Sequence, residues 1–112
     1  MKVWIDVNGT LVGNSHSTNS ECLTALQDLL DMGLSVQVVS SQPQDPICEQ
    51  QVEDKLIAMK RARQGDVWID DEPMILKVAL RSGCIVVPAE CFVTFVELVA
   101  TENKLVEIGE KS

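Results

Sequence analysis

Residues 2–11 read KVWIDVNGTL. The first five form a strand-like run that ends in a carboxylate, Asp6, and Asn8-Gly9 turns the chain two residues later. The run is too continuous for a half-exposed strand, and strands covered on both faces read this way in parallel sheets packed between helices. Three more runs share the pattern: SVQVVS at 35–40, DVWID at 66–70 and CIVVP at 84–88.

Helical signals fill the gaps. Thr18-Asn19-Ser20-Glu21 has the spacing of a capping box, and Leu23, Leu26, Leu29 and Leu30 follow as one apolar stripe. A second helix is expected to start at Asp45-Pro46 and to bury Val52, Leu56 and Met59. A third starts at Pro73, burying Ile75, Leu76, Ala79 and Leu80. A fourth follows Pro88 and carries Phe92, Phe95, Val96 and Val99. Gly33, Gly65 and Gly83 each close a helical pattern ahead of the next run. LVEI at 105–108 reads as a fifth, edge strand or part of a tail. The alternation predicts an α/β chain, a three-layer Rossmann-like parallel sheet in the order 2-1-3-4, and a length of 112 residues fits a single domain over 1–112.

Bulk properties narrow the function classes. A net charge of −8 opposes a broad nucleic-acid groove, and no apolar stretch is long enough for a membrane span. Cys22, Cys48, Cys84 and Cys91 lack CxxC spacing, and one His, His16, is present. They read as buried free thiols of a reducing compartment, so a cytoplasmic protein is expected. Trp4 and Trp68 fall among the core positions of two runs expected to be neighbours and read as packing residues.

Ligands of open α/β sheets bind beyond the carboxyl ends of the strands. Those ends hold Asp6, Ser40-Ser41, Asp70-Asp71 and Pro88. Carboxylates delivered to one edge repel each other, and a hard divalent cation relieves the repulsion. An oxygen-only donor set of this kind suits Mg²⁺, which often shares its site with phosphate. The competing reading is that these acids cap the following helices, Asp71 for the Pro73 helix in particular.

The combination resembles the haloacid dehalogenase-like (HAD) hydrolase superfamily, most of whose members are phosphatases. Asp6-Val7-Asn8-Gly9-Thr10-Leu11 is similar to its DxDGT motif, Ser40 to the hydroxyl that ends its second-motif strand, and Asp70-Asp71 to its acidic pair. The resemblance covers residues 2 to 88. It implies that Asp6 attacks phosphorus and forms an aspartyl-phosphate, and that Asp6, the Asn8 carbonyl, Asp70 and Asp71 hold Mg²⁺. It also implies that the backbone around Gly9 and Thr10, with Ser40 and Ser41, holds the phosphoryl oxygens of a phosphorylated substrate.

The chain departs from the family pattern in three places. Asn8 stands where the family has an Asp that protonates the leaving group, and an amide cannot do so. Loss of a general acid costs about a hundred- to ten-thousand-fold in rate, so turnover is expected to be weak. Asn8-Gly9 is also a pair prone to deamidation, which would restore an Asp. The family's charge-balancing Lys has two candidates, Lys55 and Lys60. From a helix starting at Pro46 these lie about 13 and about 20 Å from the active edge, which favours Lys55 and makes a solvated helix face the simpler role for both. Finally, there is no cap domain. Residues 12–19 are a short polar flap, so a large substrate or a second copy of the chain is expected to cover the site. His16 in this flap is read as solvated, with a substitute proton donor as the alternative. A non-catalytic HAD-like protein that binds a partner or a phosphorylated ligand is the second functional reading.

Overall fold

The computed structural model describes residues 1–111, with side chains over 1–104. Strand β1 is Lys2–Asp6, helix α1 Asn19–Asp31, β2 Ser35–Ser40, β3 Val52–Asp54 and α2 Lys55–Arg61. Then come β4 Val67–Asp70, α3 Pro73–Arg81, β5 Ile85–Pro88, a 3-10 turn Ala89–Cys91 and α4 Phe92–Lys111. All strand pairs are parallel, and the order is β3-β2-β1-β4-β5. This differs from the four-stranded 2-1-3-4 sheet expected from the sequence. A fifth strand, β3, is added outside β2, while the other four keep their relative places.

The added strand also corrects the second helix. Residues around Asp45-Pro46 are not helical, because Cys48 and Glu49 adopt left-handed φ angles of 48° and 65°. Ile47 and Gln50 exchange backbone hydrogen bonds of 3.0 and 2.9 Å across this turn. The reversed chain then pairs Val52 with Val38 and Asp54 with Ser40. Helix α2 starts only at Lys55, where Asp54 Oδ1 caps the Ile57 N–H at 3.1 Å. Leu56, expected in the core, is 66% exposed. LVEI lies within α4 rather than in a strand. Leu80 is also exposed, so α3 is covered on its Ala79 side only.

Strand periodicity sorts the side chains into two layers. Val3, Ile5, Val38, Val67 and Ile69 pack against α1 and α4 through Leu26, Leu29, Phe92 and Val96. Trp4, Trp68 and Val39 face the other way, onto Ala58 of α2 and Ala79 of α3. The two indoles stack with centroids 5.6 Å apart. By the same alternation Asp6 follows Trp4, and Asp70 follows Trp68, onto the α2/α3 side. The anticipated capping box of α1 is present, with Glu21 N–H donating to Thr18 Oγ1 and Thr18 N–H to Glu21 Oε1. All four cysteines are free. Cys22 and Cys84 are buried, whereas Cys48 is half-buried and Cys91 exposed, so the expectation of four buried thiols holds for two. Among the described residues no helix is long and apolar enough to cross a membrane.

Candidate active site

Register brings the strand ends to one rim. Asp6 stands level with Val39, Ser40 with Asp54, and Asp70 with Pro88. Because Asp54 ends β3 at this rim, the first residue of α2 sits just beyond it. That residue is Lys55, and its side chain is 1% exposed. Lys55 Nζ lies 2.8 Å from Asp6 Oδ1, 3.0 Å from Asp70 Oδ2 and 3.3 Å from Glu72 Oε1. It stands at the rim rather than about 13 Å from it, because α2 starts nine residues after Pro46. Lys60 is an exposed residue near the far end of α2 and takes no part.

Asp70 is fully buried and its acceptor positions are nearly filled. Oδ1 accepts the Glu72 N–H at 3.1 Å, and Oδ2 accepts the Trp68 indole N–H at 3.2 Å in addition to Lys55. Trp68 is thus a site residue as well as a packing residue. Its position two before Asp70 on the same face of β4 was the available signal. Asp6 Oδ2 has only the Thr10 hydroxyl, at the long limit of 3.5 Å. Asp71 is exposed and does not cap α3. Glu72 occupies that position without a side-chain cap. Oxygens of Asp6, Asp70 and Asp71 all lie within 4.8 Å of one another.

Four carboxylates, Asp6, Asp70, Asp71 and Glu72, therefore surround one ammonium, and negative charge is in excess. Burial, reinforced by the Asp70 and Asp71 carboxylates, pushes Asp6 up to about 8 despite the Lys55 contact. Burial raises Asp70 as well, against the opposing pull of Lys55. Burial alone would lower Lys55, but Asp6 and Asp70 outweigh it and hold the ammonium charged. A hard divalent cation fits this donor set. It offers oxygen ligands alone, excess negative charge, and an exposed Asp71 carboxylate with an oxygen within 4.8 Å of those of Asp6 and Asp70.

Gly9 is required here twice over. Its φ is +88°, and a Cβ would lie 2.1 Å from Asp71 Oδ2. The Gly9 N–H donates to Val12 O at 2.6 Å and the Thr10 N–H to Val7 O at 3.3 Å. Two amides expected to hold phosphoryl oxygens are thus engaged inside the loop. The same bond restrains the Gly9 nitrogen that would attack Asn8 during deamidation. Ser40 is buried and its Oγ accepts the Gln42 N–H at 3.1 Å, which leaves its own proton to donate. Ser41 and Asn8 are exposed.

Sequence reasoning missed Asn14. This residue is 7% exposed, and its amide donates to Thr10 O at 3.2 Å and Ala89 O at 2.9 Å, while its Oδ1 accepts the His16 N–H at 2.9 Å. The flap is thereby tied both to the Asp6 loop and to the 3-10 turn. Between them lies an open cleft of about 340 Å³ bounded by Gly9, Asp71, Asn14, His16 and Glu90. Comparison with family models, with curated proteins and with solved structures finds no match for this chain.

Proposed function

We propose that the protein is a HAD-like, Mg²⁺-dependent phosphatase that acts on a phosphate monoester through an aspartyl-phosphate on Asp6. One observation carries the reading: Lys55 Nζ joins Asp6 and Asp70 at 2.8 and 3.0 Å, with Asp71 beside them, at the carboxyl rim of a parallel sheet. Asp6, Asp70, Asp71 and the Asn8 carbonyl would hold the cation. When bound, Mg²⁺ neutralises the phosphoryl charge that repels a carboxylate nucleophile.

The chain's own residues supply the rest. Lys55 holds Asp6 Oδ1, which leaves Oδ2 as the attacking oxygen. The same ammonium draws Asp6 toward the carboxylate, the nucleophilic form, against the burial that raises its proton affinity, and a bound cation would complete that shift. Ser40 offers a hydroxyl proton to a phosphoryl oxygen. Gly9 keeps the backbone close to Asp71. No cap encloses the cleft, so a large phosphorylated substrate or a second copy of the chain would exclude water. Asn8, which has no titratable proton to transfer, favours the second reading, a phosphoryl-binding protein without turnover.

Hydrolysis of para-nitrophenyl phosphate with Mg²⁺ tests this. The expected result is Mg²⁺-dependent release that Asp6→Ala abolishes, with Asp6-dependent binding of beryllofluoride. If wild type and Asn8→Asp are both inert while folded and loaded with Mg²⁺, the enzyme reading falls. Beryllofluoride binding that survives this result leaves the binding reading in place.

A further inference from the structure

We propose that His16, set against Glu90, is the proton carrier of this site, giving a proton to the departing oxygen and later taking one from the attacking water. The inference rests on the phosphatase reading and deepens it. The need for such a group follows from the other candidates. Asn8 carries no titratable proton. Asp6 is the nucleophile, and Asp70 already accepts three donors and would give its remaining position to the cation. Lys55 is buried and held charged by two carboxylates, so it keeps its proton.

His16 is placed for the task. Asp6 is 2% exposed, and Asp71, with a carboxylate oxygen within 4.8 Å of one of Asp6, lines the open cleft, so that cleft is the opening beside the nucleophile. His16 lines that cleft with Gly9 and Asp71. It is also better fixed than a residue of a free loop. Its N–H is bound by Asn14 Oδ1, and Asn14 in turn bridges Thr10 and Ala89. Its Nδ1 lies 3.1 Å from Ser15 Oγ. Its Nε2 stands 3.6 Å from Glu90 Oε2, close enough for the carboxylate to compensate a charge on the imidazole. The charged groups that face it are Glu90, from the 3-10 turn, and Asp71, across the cleft.

The steps balance. Asp6 Oδ2 bonds to phosphorus as the bond from phosphorus to the ester oxygen breaks. The imidazolium Nε2–H passes its proton to that oxygen, and a neutral alcohol leaves. Water then attacks phosphorus and yields one proton to the neutral imidazole. The bond from phosphorus to Asp6 breaks, restoring the carboxylate and releasing inorganic phosphate.

The test compares wild type, His16→Gln and Asn8→Asp, each with Mg²⁺, on 2,4-dinitrophenyl phosphate and on glycerol phosphate. The dinitrophenolate leaves without a proton, whereas the alkoxide needs one. His16→Gln is expected to lose about a hundred- to ten-thousand-fold on glycerol phosphate and the histidine-dependent limb of the pH profile. On the dinitrophenyl ester it is expected to keep a burst at the wild-type rate, followed by slow release of phosphate. Because the chain has a single His, its imidazole signals are unambiguous, and orthovanadate is expected to shift them in wild type but not in Asp6→Ala. Equal rates and pH profiles for wild type and folded His16→Gln overturn the role of His16 and leave the phosphatase reading standing. So does an inert wild type beside an active Asn8→Asp. If all three proteins are inert on both esters, the phosphatase reading fails and the proposal fails with it.

Discussion

Strand β4 is bracketed by two buried carboxylates in opposite circumstances. Asp66, just before it, accepts three N–H donors: Lys2 at 3.0 Å, the Trp4 indole at 3.1 Å and Arg63 at 2.9 Å. Burial alone would raise its proton affinity, but these donors outweigh burial and hold it below the ordinary range. Asp70, which ends the strand, meets Lys55 and two N–H donors but also shares its surroundings with Asp6 and Asp71. Burial wins there, and both Asp6 and Asp70 are raised. The amino edge of the sheet thus resolves its charge with fixed dipoles. The carboxyl edge keeps an excess that a ligand can relieve. Surplus charge of this kind costs stability and is expected at sites built for chemistry.

The largest effect that can break this contrast is on pH dependence. Asp6 binds its proton more tightly in the folded chain, so its contribution to stability is complete below about pH 4 and is lost as pH rises toward about 8. In EDTA the loss should reach up to about 1.4 kcal/mol per pH unit within that window, read from urea unfolding. Asp6→Asn should flatten the slope. Asp66 acts in the opposite direction, since its contribution is present at neutral pH and fades only as acid protonates it. A wild-type profile that rises between pH 5 and 8 would contradict the excess of charge at the carboxyl rim.

Next in size is Lys55→Met. It leaves Asp6 and Asp70 facing each other with no cation between them, and a loss of about 3–5 kcal/mol at pH 8 is expected. Added Mg²⁺ should recover part of it. A loss below about 1 kcal/mol would mean that the ammonium does not hold the rim together. The smallest effect is Asp66→Ala, which strands the Trp4, Lys2 and Arg63 donors and should cost about 1–3 kcal/mol, with no response to Mg²⁺. A Mg²⁺-sensitive result there would erase the distinction between the two edges.

Much of the layered architecture was legible in residue order. The capping box at Thr18, proline at the start of α3, and continuous apolar runs ending in Asp6, Ser40 and Asp70 are local patterns, and local patterns survive folding. The carboxylates at the strand ends were legible for the same reason. The position of Lys55 was not. Asp45-Pro46 reads as the helix start, and the pairing of Val52 with Val38, fourteen residues apart in the chain, moves that start to Lys55. Nor could the sequence assign Asp66 its three donors from two other segments, or bring His16 against Glu90.

The sequence by itself determined which segments are strands and helices at most positions, and that carboxylates end the first and third apolar runs, because caps, turns and periodicity act over a few residues. Only the tertiary structure decided which cation meets those acids and which carboxylate is satisfied. Charge is balanced between segments distant in the chain, and the parallel register of the sheet sets which of them meet.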